Sequence, residues 1–546
     1  MRPLCPPERE FFDFQTQMKG GASMQAPSLC AYLCLCFVNS VKKSKTLSLI
    51  KRIIGFFADE FLESTLFKIL NSIVKSIKKS YNASFLKKYI SSKGVLQKIY
   101  ETSLLCFLLN FAYKTISFLL GKIYSLVIKI FNGSLTAGVF TKLSKKQIFS
   151  YSSVLSLFIC FMIICPHEVW NNLYGVLAAF GFLIYFMAKG YVKKECVNFK
   201  NESFYLIFFL IFVCFSSTYA YDKADALRIV LFLVAAVIFG FILSNSINTK
   251  ENLIYSLKII SAGVFLTSVI GIIQRIIGVE VNPEYVDVVA NSSMPGRVFS
   301  TFANPNNFAE LLVLGMPTCA ALVFILPNIR EKLLYLAFLL VDFLAIGMSY
   351  SRSCWVALFI AVVVMLLIYD WRYLVPCAIF ALMLIPFLPE SITDRILTIG
   401  SMKDTSNASR LLIWRGTWKM VKSYFVSGVG AGPVTFSKYY LPLADHWALT
   451  APHSHMVYME LIIEFGIFAF IGFMLYMASL LKKSFDAVSK AAKEQKAIIA
   501  AIVGSLCGMA FVFAVEYVWF YPRVMFMFFI TTGILLATVK LVKKER

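Results

Sequence analysis

Charge is scarce in this chain, and acid scarcest of all. Only 15% of its 546 residues are charged, 30 acids stand against 53 lysines and arginines, and 59% of the residues are hydrophobic. A soluble domain of this length needs far more polar surface, so a soluble fold is excluded. Histidine is rarer still, at four residues, and three of them (His446, His453 and His455) fall within ten positions. The polar stretch that holds these three, residues 390–455, contains no cysteine, which excludes a disulfide framework there. Most of the thirteen cysteines lie inside apolar runs, where a thiol behaves as a small hydrophobe. Cys30, Cys34 and Cys36 are closely spaced without a histidine nearby, a pattern that suits membrane packing or acylation better than metal. A secretory signal with a cleavage site is not seen.

What is present is a succession of apolar runs, each long enough to cross a membrane as a helix. After Gln147 about twelve spans are expected, centred on Ser156, Ala178, Phe209, Ala235, Val264, Met316, Leu340, Val362, Ile379, Gly466, Gly508 and Thr531. The fold class is therefore all-α, a polytopic membrane bundle. Residues 1–147 differ: lysines recur every few positions among Ile, Leu and Phe, as in TLFKILNSIVKSIKKS, and the region up to Lys146 carries a net charge of about +15. This pattern predicts basic amphipathic helices lying in the membrane interface and drawn to anionic lipids. The basic connections (KGYVKKECVNFKNE, NTKEN, NIREK, DWR, KKSFDAVSKAAKEQK and the terminal VKKER) are all even-numbered, so charge bias assigns them and both termini to the cytoplasm. The odd connections, with all four histidines, then face outward. The +23 net charge is accounted for in this way, and the basic and aromatic residues form no module that reads or stacks bases, so nucleic acid is not an expected partner.

The outward side gathers Arg297, Arg352, Arg395, Arg410, Arg415, Lys403 and Lys438. Arginine forks hold phosphate bidentately at any working pH, so this face suits an anionic, lipid-linked ligand, although arginines also anchor helix ends at headgroup level. Asn304-Pro305-Asn306 breaks the chain, and a helix can start near Asn306 or Asn307 with asparagine as its cap, its N-terminus either an anion site or only a helix cap. The glycines of GVGAGP, Gly428 and Gly430 among them, predict a tight turn that lets backbone approach a ligand or another helix. His453 and His455 suggest a general base more than a metal, because the loop's acids lack ligand spacing. Five acids read as lying within spans (Glu310, Asp342, Glu460, Glu464 and Glu516) favour a different class, a transporter or flippase, either lining a path or pairing with Arg275 and Arg523. A convincing internal repeat, expected of many transporters, is not seen.

Taken in order, these pieces resemble the O-antigen ligase and polysaccharide polymerase superfamily: Arg297-Val298-Phe299-Ser300-Thr301-Phe302-Ala303-Asn304-Pro305-Asn306, then Ser351-Arg352, then Ser409-Arg410 with Trp414 and Gly428-Val429-Gly430, then His455, Tyr458, Glu464 and Gly466. The resemblance spans about Ser203 to Val542 and is strongest over a core of about 297–476. It implies a GT-C-like bundle and a metal-independent, inverting glycosyltransferase without cofactor on the outer face of the bacterial cytoplasmic membrane. Such an enzyme moves a glycan from undecaprenyl pyrophosphate to a hydroxyl of a glycan, lipid or protein, the last as a protein O-oligosaccharyltransferase would. By position, His455 would be the catalytic base, with Arg297 and Arg410 on the pyrophosphate. Arg352, His453, Asn304, Asn306, Trp414, Gly428 and Gly430 would contact substrate. Met456 stands where the family commonly has asparagine, so His453 stays open as the base.

Overall fold

Each of the twelve apolar centres forms part of a helix, and half of these helices start on a side chain that accepts a hydrogen bond from the first turn. The structure, a computed structural model, describes residues 94–132, 147–280, 296–397 and 405–545, with isolated positions elsewhere. The expected amphipathic segments up to residue 93, the cysteines at 30, 34 and 36, and the outward loop over 281–295 lie outside the described residues. Among the described residues there is no strand.

Among the described residues two continuous helices precede Gln147, α1 (Val95–Glu101) and α2 (Leu104–Asn132). The second is long and apolar enough to cross a membrane, whereas the lysine pattern of this region suggests an interfacial helix. Then come α3 (Tyr151–Ile164), capped by Ser150, α4 (Asn172–Val192), capped by Asn171, and α5 (Phe204–Ser216). Asp222 caps α6 (Lys223–Ser246) and Thr249 caps α7 (Lys250–Ile277). Next are α8 (Pro305–Ile325), α9 (Ile329–Met348), α10 (Arg352–Asp370) and the short α11 (Leu374–Leu384). The polar stretch contributes α12 (Glu390–Leu397), α13 (Thr405–Tyr424) and α14 (Pro433–Tyr440). The chain closes with α15 (Val457–Val488), α16 (Lys493–Val512) and α17 (Pro522–Lys544). Among the described residues nine helical stretches are long and apolar enough to span, one of them (Arg352–Met383) running from α10 into α11; α3 and α5, with 14 and 13 residues, are shorter. This is a polytopic membrane bundle.

Burial shows what sits at its centre. In α8, α16 and α17 between 78 and 89% of the apolar window is enclosed by protein, against 22% in α2 and 28% in α4. Lipid is as apolar as leucine, so helices associate here through close packing. Gly504 and Gly508, one turn apart on α16, allow this: a Cβ on either would collide with the carbonyls of Ala361 and Ala357 on α10.

The helices share two ends. At one, Thr301 Oγ1 donates to the Ile163 carbonyl (2.7 Å), Val457 N to Phe513 O (2.9 Å), and Asp222 N to Thr435 Oγ1 (3.3 Å). At the other, Lys540 reaches Glu202 (3.4 Å) and Asn245 (2.8 Å). The polar stretch stands over the first end.

Candidate active site

Arg297 begins the motif that leads into α8, and the rest of that motif explains how it is held. Ser300, in the left-handed region at φ 54°, exchanges two bonds with Gln274 of α7: its N–H donates to Oε1 (2.7 Å) and its carbonyl accepts from Nε2 (2.8 Å). Arg523 of α17 donates to the carbonyls of Cys165 (2.7 Å) and Thr301 (2.8 Å) and lies 4.3 Å over the Phe302 ring. Buried carbonyls that would otherwise lack a partner are thereby satisfied. Arg297 itself is buried; its Nε donates to the Ser349 carbonyl (2.8 Å) and its Nη2 to Asn306 Oδ1 (2.5 Å). Asn304 Oδ1 accepts from Asn306 N (2.8 Å), so an asparagine cap forms, with Pro305 opening the helix one or two residues before the expected start.

The bonds of Asn306 continue to a residue that the sequence pattern placed inside a span. Its Nδ2 donates to Glu516 Oε1 (3.1 Å), and Arg410 Nη2 ion-pairs with the same oxygen. Glu516 Oε2 lies 3.4 Å from His455 Nδ1. Glu516 is not within a helix, since α16 ends at Val512 and the chain turns before Pro522. One buried carboxylate therefore joins Arg410 from α13, His455 from the loop before α15, and Arg297 by way of Asn306. Burial alone would raise its pKa, but Arg410 and then His455 hold it down to about 2. Burial, reinforced by Arg395, lowers Arg297 to about 9, which leaves it charged at neutral pH. Arg352 and the buried Arg395 both lie close enough to repel it. Arg395 was expected on this face, though not as part of the site.

Both histidines are here, in different states. His453 is buried, and its Nδ1 accepts from the His455 backbone N–H (3.1 Å), which fixes that nitrogen as unprotonated. Burial, with His455 beside it, lowers its pKa to about 3. His455 sits at φ 52°, an uncommon conformation for a side-chain-bearing residue, and is part-exposed. The two rings are 4.2 Å apart. His453 thus positions the turn, and His455 presents its ring. His446 is exposed in a short 3-10 turn, and His167 pairs with Glu168.

The loop is stitched to α15. Val429 N donates to Ile463 O (2.6 Å), Gly430 N to Glu464 O (3.1 Å) and Ile467 N to Phe425 O (2.9 Å), across a break in α15 at Gly466 (φ 80°). A Cβ at Gly428 would strike the Gly466 nitrogen at 2.8 Å. Gly428 and Gly430 therefore approach another helix, and their N–H groups are used within the protein. Trp414, part-buried, lies one turn from Arg410 on the same face of α13.

Three of the five acids expected to favour transport are employed differently. Glu460 accepts from Ser454 N (2.7 Å), and Glu464 accepts from Gly432 N (2.9 Å) and the Tyr517 hydroxyl (2.7 Å). With Glu516, three of the five brace the loop. Neither proposed arginine partner serves them: Arg523 binds carbonyls, and Arg275 Nη1 faces Gly296 O (3.4 Å). Beside His453 a cavity of about 420 Å³ opens between Asn171, Asn172, Arg228, Tyr517 and Phe520. Among the described residues no group of three or more His, Cys, Asp or Glu has the spacing of a metal site.

His453 makes stability depend on pH. Its pKa in the folded protein lies below the ordinary 6.5, so the unfolded chain binds the extra proton between about 6.5 and 3. Its contribution is complete above pH 6.5 and declines as pH falls. Between pH 7 and 5 a loss of about 2 kcal/mol is expected, visible as a lower apparent Tm. His453→Gln should shrink that difference; an unchanged difference would refute the assignment.

Residues 335–474 match the family model described as O-antigen ligase, 140 of the 546 residues. Over this segment the chain is similar to that family, in agreement with the resemblance read from the order of its motifs. The match takes in Arg352, Arg410, His453 and His455; Arg297 and Glu516 lie outside it and join the site through the fold. No curated protein matches the chain.

Proposed function

We propose that this protein transfers a glycan from a polyprenyl pyrophosphate to an acceptor hydroxyl, at the end of the bundle that bears His455. The observation that supports this reading is the Glu516 bridge, which sets a histidine base and fixed cations around one point. With Nδ1 turned to Glu516, the Nε2 of His455 is the nitrogen left to take the acceptor's proton, and the carboxylate stabilises the imidazolium that results. The acceptor oxygen bonds to the sugar's anomeric carbon as the bond to pyrophosphate breaks, with inversion, and the leaving electron pair goes to the pyrophosphate. Arg297 and Arg410, with Arg352 and Arg395 behind them, neutralise that charge, so neither metal nor nucleotide is needed. The polar and aromatic cavity beside His453 suits a sugar on the acceptor side. Charge bias supports a cytoplasmic assignment for the far side of the bundle, where the basic helix ends lie, and with it an outward-facing site.

The test is reconstitution in proteoliposomes with a labelled polyprenyl-pyrophosphate glycan and an acceptor glycan. Product should form, and should continue to form in excess EDTA. Movement of the lipid-linked glycan across the bilayer without any transfer would support a flippase instead; loss of transfer in EDTA would refute the metal-independent step.

A further inference from the structure

At the end of the bundle away from Glu516, α3, α4, α6, α15 and α17 enclose a second cavity, of about 1540 Å³. Its walls are of two kinds. Toward the middle of the helices they are apolar, with Val154, Ala178, Phe182, Phe186 and Leu536. Toward the helix ends they are Lys189, Lys193, Lys483, Lys540, Lys543 and Lys544, against two acids, Glu195 and Glu202, which leaves a net charge of +4. Lys540 is engaged by Glu202 and Asn245, and Lys189 lies over the rings of Tyr151 and Tyr185 at 5.7 and 5.5 Å. Lys483 and Lys543 make no ion pair among the described residues. Like charges around a cavity repel one another until a counter-charge enters. The N-terminal region is itself basic and offers no complement.

We propose that this cavity binds an anionic membrane lipid, its phosphoryl headgroup among the lysines and its acyl chains along the apolar wall. The gradation from apolar to cationic along the helix axes matches an amphiphile; a free phosphate would use the charged end alone. Tyr185 and Val154 on the lining are each about two-fifths exposed, so the apolar part opens sideways to where lipid lies. Basic pockets between membrane helices bind lipid headgroups through this same attraction. Gly181, on the lining, faces open space, with no atom within 4 Å of where its Cβ would be.

The full chain in detergent, examined by native mass spectrometry, tests this with phosphatidylglycerol, phosphatidylcholine and inorganic phosphate as probes. Phosphatidylglycerol should be retained at least tenfold over phosphatidylcholine. The double variant Lys483→Gln, Lys543→Gln should weaken phosphatidylglycerol binding roughly 30-fold, about fivefold per lysine. Gly181→Trp, which fills the apolar part without touching a charge, should weaken phosphatidylglycerol and leave inorganic phosphate unchanged. The variants alter different walls, so a folding fault in one leaves the other informative. Equal binding of the two lipids, or wild-type binding by either variant, would overturn the proposal; inorganic phosphate displacing phosphatidylglycerol at equal concentration would reassign the cavity to a free anion.

Discussion

His455→Ala should abolish glycan transfer while lipid-linked donor accumulates. General-base catalysis is worth roughly 10²–10⁴-fold, and no other described residue is placed to replace it. His453 is the neighbour to consider, but its Nδ1 is committed to the His455 backbone and its ring is buried. Because residue 455 is left-handed, at φ 52°, alanine adds a backbone cost of about 1 kcal/mol. His455→Asn avoids this, since asparagine tolerates that conformation, and should be equally inactive with an unchanged apparent Tm. Transfer at wild-type rate in the asparagine variant would remove His455 from the chemistry. Transfer lost only in alanine would make its role one of backbone shape.

Glu516→Gln should reduce transfer by about 10²-fold or more and also destabilise the protein. The substitution keeps the shape of the side chain and removes the charge that faces Arg410 and His455. Breaking one side of a buried ion pair leaves the other uncompensated, at a cost of about 3 kcal/mol or more. The pH dependence gives an independent readout. In the folded protein the Glu516 pKa is depressed from 4.5 to about 2, so its stabilisation is present above pH 4.5 and is lost as pH falls toward 2. Wild type should therefore lose stability over that acid interval, and Glu516→Gln should lose less. Full activity in the glutamine variant would show that the bridge is structural only.

The helices were legible because their signal is strong: twelve apolar runs, most of them opened by Ser, Asn, Asp or Thr. The loop residues were legible as motifs, since Arg297, Arg410 and His455 each sit among fixed companions, and the fold brings the three together. The companions could not be given roles in advance. Ser300, Thr301 and Phe302 carry no role in the sequence pattern, and in the fold they anchor the segment that bears Arg297 through Gln274, Ile163 and Arg523. Glu516 was misplaced for a physical reason: its surroundings, VFAVEYVWFYP, are as apolar as a span, and hydropathy does not register where a helix stops. A crowd of aromatic residues followed by proline, around a lone acid, was the available cue, because aromatics collect where membrane meets water. The break at Gly466 gave less still, since a glycine inside an apolar run is ordinary; only the strand-like bonds to Val429 and Gly430 give it meaning.

The Glu516 bridge also sets an order of assembly. Asn306 and Arg410 precede their shared carboxylate by 210 and 106 residues, so both leave the ribosome well before it. Until α16 is seated beside α8 and the turn after it is made, Arg410 and His455 lack the carboxylate that they share. The working site is therefore complete only once α16 and the turn that follows it are in place.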